Sequence, residues 1–251
     1  MIVSAPSAQD SLKIARAPLI ARLIGKAMAF GYRVAGKHRY DDFRLERVQG
    51  LPFLVTPSVF NPKVPRTGEF LASLLDANLV GREDEVLDMG TGSGVGAVFA
   101  AKYARRVVAV DINPAAVRCA GINALINGVE RQIDVRYGDL FAPVQGEKFD
   151  LILFNPPFVR GTPRDDRDRA WRSSDVAERF AGGLREHLRP RGSALVLLST
   201  FGDGGHFLQA FREQGLGVSV CAERRFVNER LTVFRVVPLE SQPYRDVPVQ
   251  R

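Results

Sequence analysis

The chain has 251 residues, of which 45% are hydrophobic and 25% charged, which is enough apolar material for one α/β core and too much for a disordered chain. Its formal net charge of +7 favours anionic partners such as RNA, DNA or a ribosomal surface. Cys119 and Cys221 form no CxxC pair, which argues against a zinc site or a disulfide scaffold and suits a reducing, cytoplasmic setting, and no apolar run is long enough to read as a membrane-spanning helix.

Residues 1–42 read as a basic helical extension. Pro18 suits a first helical turn, and Ile20, Leu23, Ile24 and Ala27 then share one face up to about Phe30. Between Ser11 and Tyr40 stand seven Lys or Arg residues and no acid. The plainer reading is a packing helix with a solvated face; the sharper one is a docking arm for an anionic partner. Scarce acids also suit a transit peptide, the weakest reading, while Lys13, Arg16, Arg22 and Lys26 break up any signal-peptide core.

Residues 43–66 read as a β-hairpin and a proline-rich loop. Phe43–Val48 alternates as a strand does, Gly50 turns the chain, and Leu51–Val55 is its antiparallel partner. Prolines at 57, 62 and 65 forbid regular structure in a loop of the kind that lines sites. Thr67 is the expected N-cap of a helix over Glu69–Asn78.

From residue 67 to 239, strand and helix patterns alternate. Strands are expected at Val86–Met89, Arg106–Asp111, Ile133–Tyr137, Phe149–Phe154 and Ala194–Ser199, with a closing pair at Val218–Glu223 and Leu231–Val237. Helices are expected at Val95–Tyr103, Asn113–Ala124, Asp175–Leu188 and His206–Gln214, and residues 240–251 form a tail. This pattern predicts an α/β fold with a doubly wound, mostly parallel, seven-stranded Rossmann-like sheet.

The first strand runs into Asp88-Met89-Gly90-Thr91-Gly92-Ser93-Gly94. Glycines there let the backbone take φ > 0 and approach a ligand, beside the unpaired N–H groups that open the next helix. The run Gly92-x-Gly94-x-x-Ala97, with Asp111 downstream, fits a dinucleotide fingerprint, so an oxidoreductase is one reading. Asp88 argues the other way, because a carboxylate serves a pyrophosphate poorly and a cationic amino group well. Asp111 at the second strand's end suits a ribose, and Asp139, after Gly138, can accept from an exocyclic adenine amine. The fourth strand ends in Asn155-Pro156-Pro157-Phe158. These residues share the carboxyl edge of the sheet, where open α/β folds bind ligands, and an adenosine bearing a cationic amino acid, S-adenosylmethionine, fits them.

The D-x-G-x-G-x-G run, Asp111, Gly138-Asp139 and N-P-P-F together resemble the class I S-adenosylmethionine-dependent methyltransferases. The tetrapeptide is similar to those of enzymes that methylate planar nitrogens. Gly50-Leu51-Pro52-Phe53-x-Val55-Thr56-Pro57-x-Val59, Thr67 and Asp139-Leu140-Phe141 resemble the release-factor glutamine (HemK-like) and small-domain rRNA methyltransferase group. The resemblance covers roughly residues 43–237 and makes 67–239 the S-adenosylmethionine-binding catalytic domain. It implies cofactor contacts from Asp88, Gly90, Thr91, Gly92, Gly94, Asp111, Ile112, Asp139, Leu140 and Asn155. It departs from the group in a short, basic N-terminal segment and in Phe, rather than Tyr, at 158.

The expected catalytic residues are Asn155, Pro156, Pro157 and Phe158. Asn155 Oδ1 and the Pro156 carbonyl would accept from an acceptor NH₂ group, the prolines would stiffen the loop, and Phe158 would stack on the amide or base. The acceptor stays open between a protein glutamine, in a release factor or ribosomal protein, and an RNA base. A small natural-product acceptor is a third reading and a non-catalytic binding protein a fourth. Asp111 has a competing role as a turn residue, as has Asp139. His38, His187 and His206 read as surface or helix-end residues. The charged loop Arg160–Arg169, whose Arg and Asp residues alternate from Arg164, reads as self-paired rather than a metal site, or as a lid, with Trp171 packed under it or anchoring the next helix.

Overall fold

The computed structural model describes residues 42–62, 66–157, 159–161, 172–227 and 229–239. All of the basic extension except Asp42, and with it His38, lies outside these residues, as do Phe158, the Arg164–Arg169 run, Trp171 and the tail. In chain order come β1 (Arg44–Val48), β2 (Leu51–Val55), α1 (Thr67–Ala72), β3 (Glu85–Met89), α2 (Val95–Ala101), β4 (Arg106–Asp111), α3 (Pro114–Ile126), β5 (Ile133–Tyr137) and β6 (Phe149–Phe154). Then follow β7 (Val159–Arg160), β8 (Arg172–Ser173), α4 (Val176–His187), β9 (Leu188–Ser199), α5 (Gly204–Glu213), β10 (Leu216–Arg225) and β11 (Arg230–Pro238).

Seven strands form one sheet in the order β10-β11-β9-β6-β3-β4-β5, in which only the pairs made by β11 are antiparallel. The chain lays down β3, β4 and β5 in one direction, then crosses back to place β6 on the other side of β3. That reversal opens a crevice at the carboxyl ends of β3, β4 and β6, the place where such sheets take ligands.

Period-two alternation sends Val86, Val107, Ala109, Leu151 and Leu153 to one face and Leu87, Val108, Val110, Ile152 and Val196 to the other. Helices and the hairpin cover the first face, and α4 and α5 cover the second, so the strands read as continuous apolar runs. The β1–β2 hairpin is seated by Val48 and Phe53, whose ring stacks on Phe99 of α2 at 6.3 Å. Fully buried Asn123 of α3 holds it as well. Its Oδ1 accepts from Leu54 N at 2.7 Å, and its Nδ2 donates to Leu54 O and Ser93 O, each at 2.8 Å.

Helix α1 is shorter than the expected Glu69–Asn78. Asp76 Oδ1 accepts from the backbone of Asn78 and Leu79 at 2.9 and 3.0 Å, a side-chain turn that competes with helix. Strand β9 starts six residues earlier than the expected Ala194, at Leu188. Gly192 permits this, because a Cβ there would stand 2.7 Å from the Phe149 carbonyl oxygen. Among the described residues no helix is long and apolar enough to cross a membrane.

Candidate active site

The turn between β3 and α2 is made by three residues in the left-handed region, Gly90 (φ 65°), Gly92 (57°) and Gly94 (81°). It is tied to β4, since Thr91 N donates to Val110 O at 3.0 Å and Gly92 N donates to Asp111 Oδ2 at 2.8 Å. Asp88 lies beneath the turn, buried. Its Oδ2 accepts from Thr91 Oγ1 at 2.6 Å and from Ala97 N at 2.8 Å. Burial outweighs these bonds and pushes the Asp88 carboxyl up to about 6, and nearby Asp111 adds to the rise. The side chain therefore both braces the turn and stands ready to favour a cation placed beside it.

Gly96 makes this possible and has no place in the D-x-G-x-G-x-G pattern. A Cβ at Gly96 would stand 2.6 Å from Asp88 Oδ1. Gly94 has a different task from a ligand contact: a Cβ there would meet the Ala120 backbone at 3.0 Å, so it lets α3 pack on the turn.

Asp111 ends β4. Its Oδ1 accepts from Asn113 N and its Oδ2 from Gly92 N, both at 2.8 Å, and burial raises its pKa. The turn role set against ribose binding is thus present. The Ile112 backbone also lies within reach of this carboxylate; a carboxylate offers about four lone-pair directions, so these bonds still leave capacity for one hydroxyl donor. Asn113 caps α3 by accepting from Ala115 N at 2.9 Å.

Asp139 follows β5 in a turn where Leu140 has φ 48°. Its Oδ2 accepts from Arg179 Nη2 of α4 at 2.6 Å. Nothing in the sequence marks Arg179 apart from Arg185, the other arginine of that helix.

Asn155 follows β6 immediately. Its Nδ2 donates to Thr67 Oγ1 at 3.0 Å, while its Oδ1 is buried with no hydrogen-bond partner among the described residues. Thr67 is therefore not the N-cap of α1. The cap is Arg66, in the left-handed region at φ 56°, and Thr67 is the first helical residue, fully buried, with its hydroxyl turned to Asn155. An orphaned buried oxygen costs about 1–3 kcal/mol, which a bound donor would relieve.

These groups share one cleft of about 430 Å³, within the range of small-molecule sites. Asp88, Gly90, Thr91, Gly92, Asp111, Ile112, Asp139, Leu140, Asn155, Pro156 and Pro157 all line it; Gly94 does not. The proline-rich loop contributes Ser58, Val59, Phe60 and Pro62, and α1 contributes Gly68 and Leu71. One end offers a buried carboxylate, Asp88, and a half-buried one, Asp111, at a glycine cradle, and the other an unsatisfied amide oxygen. His187 takes no part. It ends α4 as expected, but it is buried, not at the surface: its ring stacks on Phe141 at 4.3 Å and Nδ1 contacts Gly183 O at 2.9 Å. His206 Nε2 contacts Glu178 Oε1 at 2.9 Å.

Residues 50–216 match the family model for the methyltransferase small domain. The chain is 32% identical over 232 residues to a release factor glutamine methyltransferase of Koribacter versatilis, covering 80% of this chain and 75% of the relative. It is 32% identical to a ribosomal protein uL3 glutamine methyltransferase of Bradyrhizobium diazoefficiens, over 59% of this chain and 53% of that one. In fold it is similar to the 16S rRNA methyltransferase of T. thermophilus in complex with AdoMet and guanosine. That match has a TM-score of 0.58 at 22% identity and covers 76% of this chain and 49% of that one.

Proposed function

From the premise that the chain belongs to the methyltransferase small domain family, and is an N-methyltransferase, we propose that it methylates the side-chain amide of a glutamine in a protein of the translation machinery, with S-adenosylmethionine as donor. The observation that carries the reading is the buried, unpartnered Oδ1 of Asn155 at the cleft wall. It calls for an N–H donor, and a carboxamide brings two.

The cleft suits the donor. The glycine cradle leaves backbone at close approach, and Asp88, Asp111 and Asp139 all line the same cleft; Asp88 would match the cationic amino group, Asp111 would accept from a ribose hydroxyl and Asp139 from the adenine amine. When bound, S-adenosylmethionine supplies an electrophilic methyl group on a positively charged sulfur. Asn155 Oδ1 and the Pro156 carbonyl accept from the acceptor's NH₂ group and turn its nitrogen towards that methyl. An amide nitrogen is a poor nucleophile because its lone pair is delocalised. Fixed acceptors favour the more positive nitrogen that develops in the transition state. The N–H becomes acidic only as the N–C bond forms and the S–CH₃ bond breaks to leave S-adenosylhomocysteine as a neutral thioether; its proton then passes to water, so no strong base is needed beside it. Pro156 and Pro157 restrict the loop, so the acceptors are aimed before substrate arrives.

A nucleobase exocyclic amine is the second reading. The formal charge of +7 favours it, and the same two acceptors would serve it. Incubation with tritiated S-adenosylmethionine and cell extract separates the two. Label that survives RNase and is lost to protease supports the glutamine reading; the reverse pattern supports RNA. No labelling at all, with no stabilisation by the cofactor, removes both.

A further inference from the structure

We propose that Arg179 is a positioning residue for cofactor selection: it orients Asp139 so that the carboxylate discriminates for the exocyclic amine of adenine. The inference rests on the reading of the cleft as an S-adenosylmethionine site. Arg179 lines that cleft beside Asp139, Asp175 and Val176. Its Nη2 donates to Asp139 Oδ2 at 2.6 Å, and its Nη1 stands 3.8 Å from Asp175 Oδ2, one helical turn back.

Arg179 sits on helix α4, and Asp139 sits in a turn that packing holds on both sides. Phe141, two residues beyond Asp139, stacks on Phe180, the neighbour of Arg179, with ring centroids 5.6 Å apart. Gly183 is what admits the Phe141 ring to α4, because a Cβ there would overlap it. On the other side, a Cβ at Gly138 would overlap Pro143, which closes the turn behind Asp139. The aromatic stack thus sets the distance that the ion pair spans.

The chemistry follows from the carboxylate. The Asp139 side chain is 42% exposed, so on its own it would rotate freely and present either oxygen to water. The guanidinium engages Oδ2 and holds the plane, which leaves Oδ1 as the open acceptor at the cleft wall. An adenine amine donates to such an oxygen; the carbonyl of a hypoxanthine in its place donates nothing and is repelled. As an exposed ion pair it adds little to folding stability, so its effect belongs on the ligand.

The test is titration calorimetry with two probes, S-adenosylhomocysteine and S-inosylhomocysteine, on the full chain. Wild type is expected to prefer the adenine compound. Arg179→Ala is expected to weaken S-adenosylhomocysteine about three- to tenfold and to leave S-inosylhomocysteine almost unchanged, so that the preference collapses; Arg179→Lys keeps part of it. Equal weakening of both probes, or no loss in Arg179→Ala, overturns the inference while the cofactor reading stands. A wild type that binds both probes equally also overturns it. A wild type that binds neither overturns the cofactor reading along with it.

Discussion

Asn155 hands its amide nitrogen to the Thr67 hydroxyl, 3.0 Å away and 88 positions earlier in the chain, and so keeps its oxygen for the cleft. Asn155→Ala is expected to lower kcat about 10²- to 10³-fold, the usual cost of removing one aimed hydrogen-bonding group. Affinity for S-adenosylhomocysteine should stay within a few-fold. Thr67→Val removes the partner but keeps the shape, and should lower kcat by about tenfold, with Thr67→Ser restoring it. Methyl transfer at full rate in Asn155→Ala would remove the proposed role of the residue.

Gly96→Ala inserts a methyl 2.6 Å from Asp88 Oδ1. Neither atom has room to yield, because Oδ2 of the same carboxylate is bonded to Thr91 and Ala97. The expected cost is about 1–3 kcal/mol of folding stability, together with a weaker hold on the cofactor. Urea denaturation and calorimetry on the same variant read the two effects.

Asp88 gives the protein a pH dependence of known sign. Its pKa is raised from 3.8 to about 6 when folded, so the folded state binds this proton more tightly than the unfolded chain. The contribution is complete when the group is protonated in both states and is lost as pH rises from 3.8 towards about 6, beyond which it is flat. Integrated over that window it is about 3 kcal/mol. Asp88→Asn has no such proton to lose. Measured by urea denaturation, the variant should gain stability relative to wild type between pH 4 and pH 6. In wild type, affinity for the cofactor's cationic amino group should increase through the same window, with proton release detectable by calorimetry in buffers of different ionisation enthalpy. A parallel pH profile for the two proteins would contradict this.

Asn123→Ala deletes the side chain that bonds Leu54 N, Leu54 O and Ser93 O. Cys119 Sγ still reaches Leu54 O at 3.2 Å, but Leu54 N and Ser93 O are left without that partner in the interior. At 1–3 kcal/mol for each orphaned group, the loss is about 3 kcal/mol. A fall in the denaturant midpoint of less than a tenth would show that water replaces the amide.

The sheet was legible because its strands are short apolar runs separated by turn residues, and β4, β5 and β6 begin and end where the sequence places them. The residues of the cleft were legible where chemistry and position coincide: carboxylates at strand ends, glycines in a turn, Asn before two prolines. Gly96, Asn123 and Arg179 were not. Each answers to an atom of another element: Asp88 Oδ1 of β3 beneath the turn, Leu54 of the hairpin, Asp139 of the turn after β5. Local pattern carries no trace of such partners. Thr67 misled for a related reason. A threonine before a helical run has the look of a cap, and only the packing of α1 against the end of β6 turns its hydroxyl elsewhere. His187 was read as a surface or helix-end residue; it does end α4, and what the sequence does not show is the Phe141 ring that covers it.

Because one amide of Asn123 grips both Leu54 of the hairpin and Ser93 of the glycine turn, the two are mechanically a single joint. Reciprocity of linked equilibria then applies. Whatever binds the β1–β2 hairpin and shifts that joint must change cofactor affinity by the same factor by which the cofactor changes its own. The order in which donor and acceptor arrive would in that case be a matter of rates, with the free energy of the ternary complex indifferent to it.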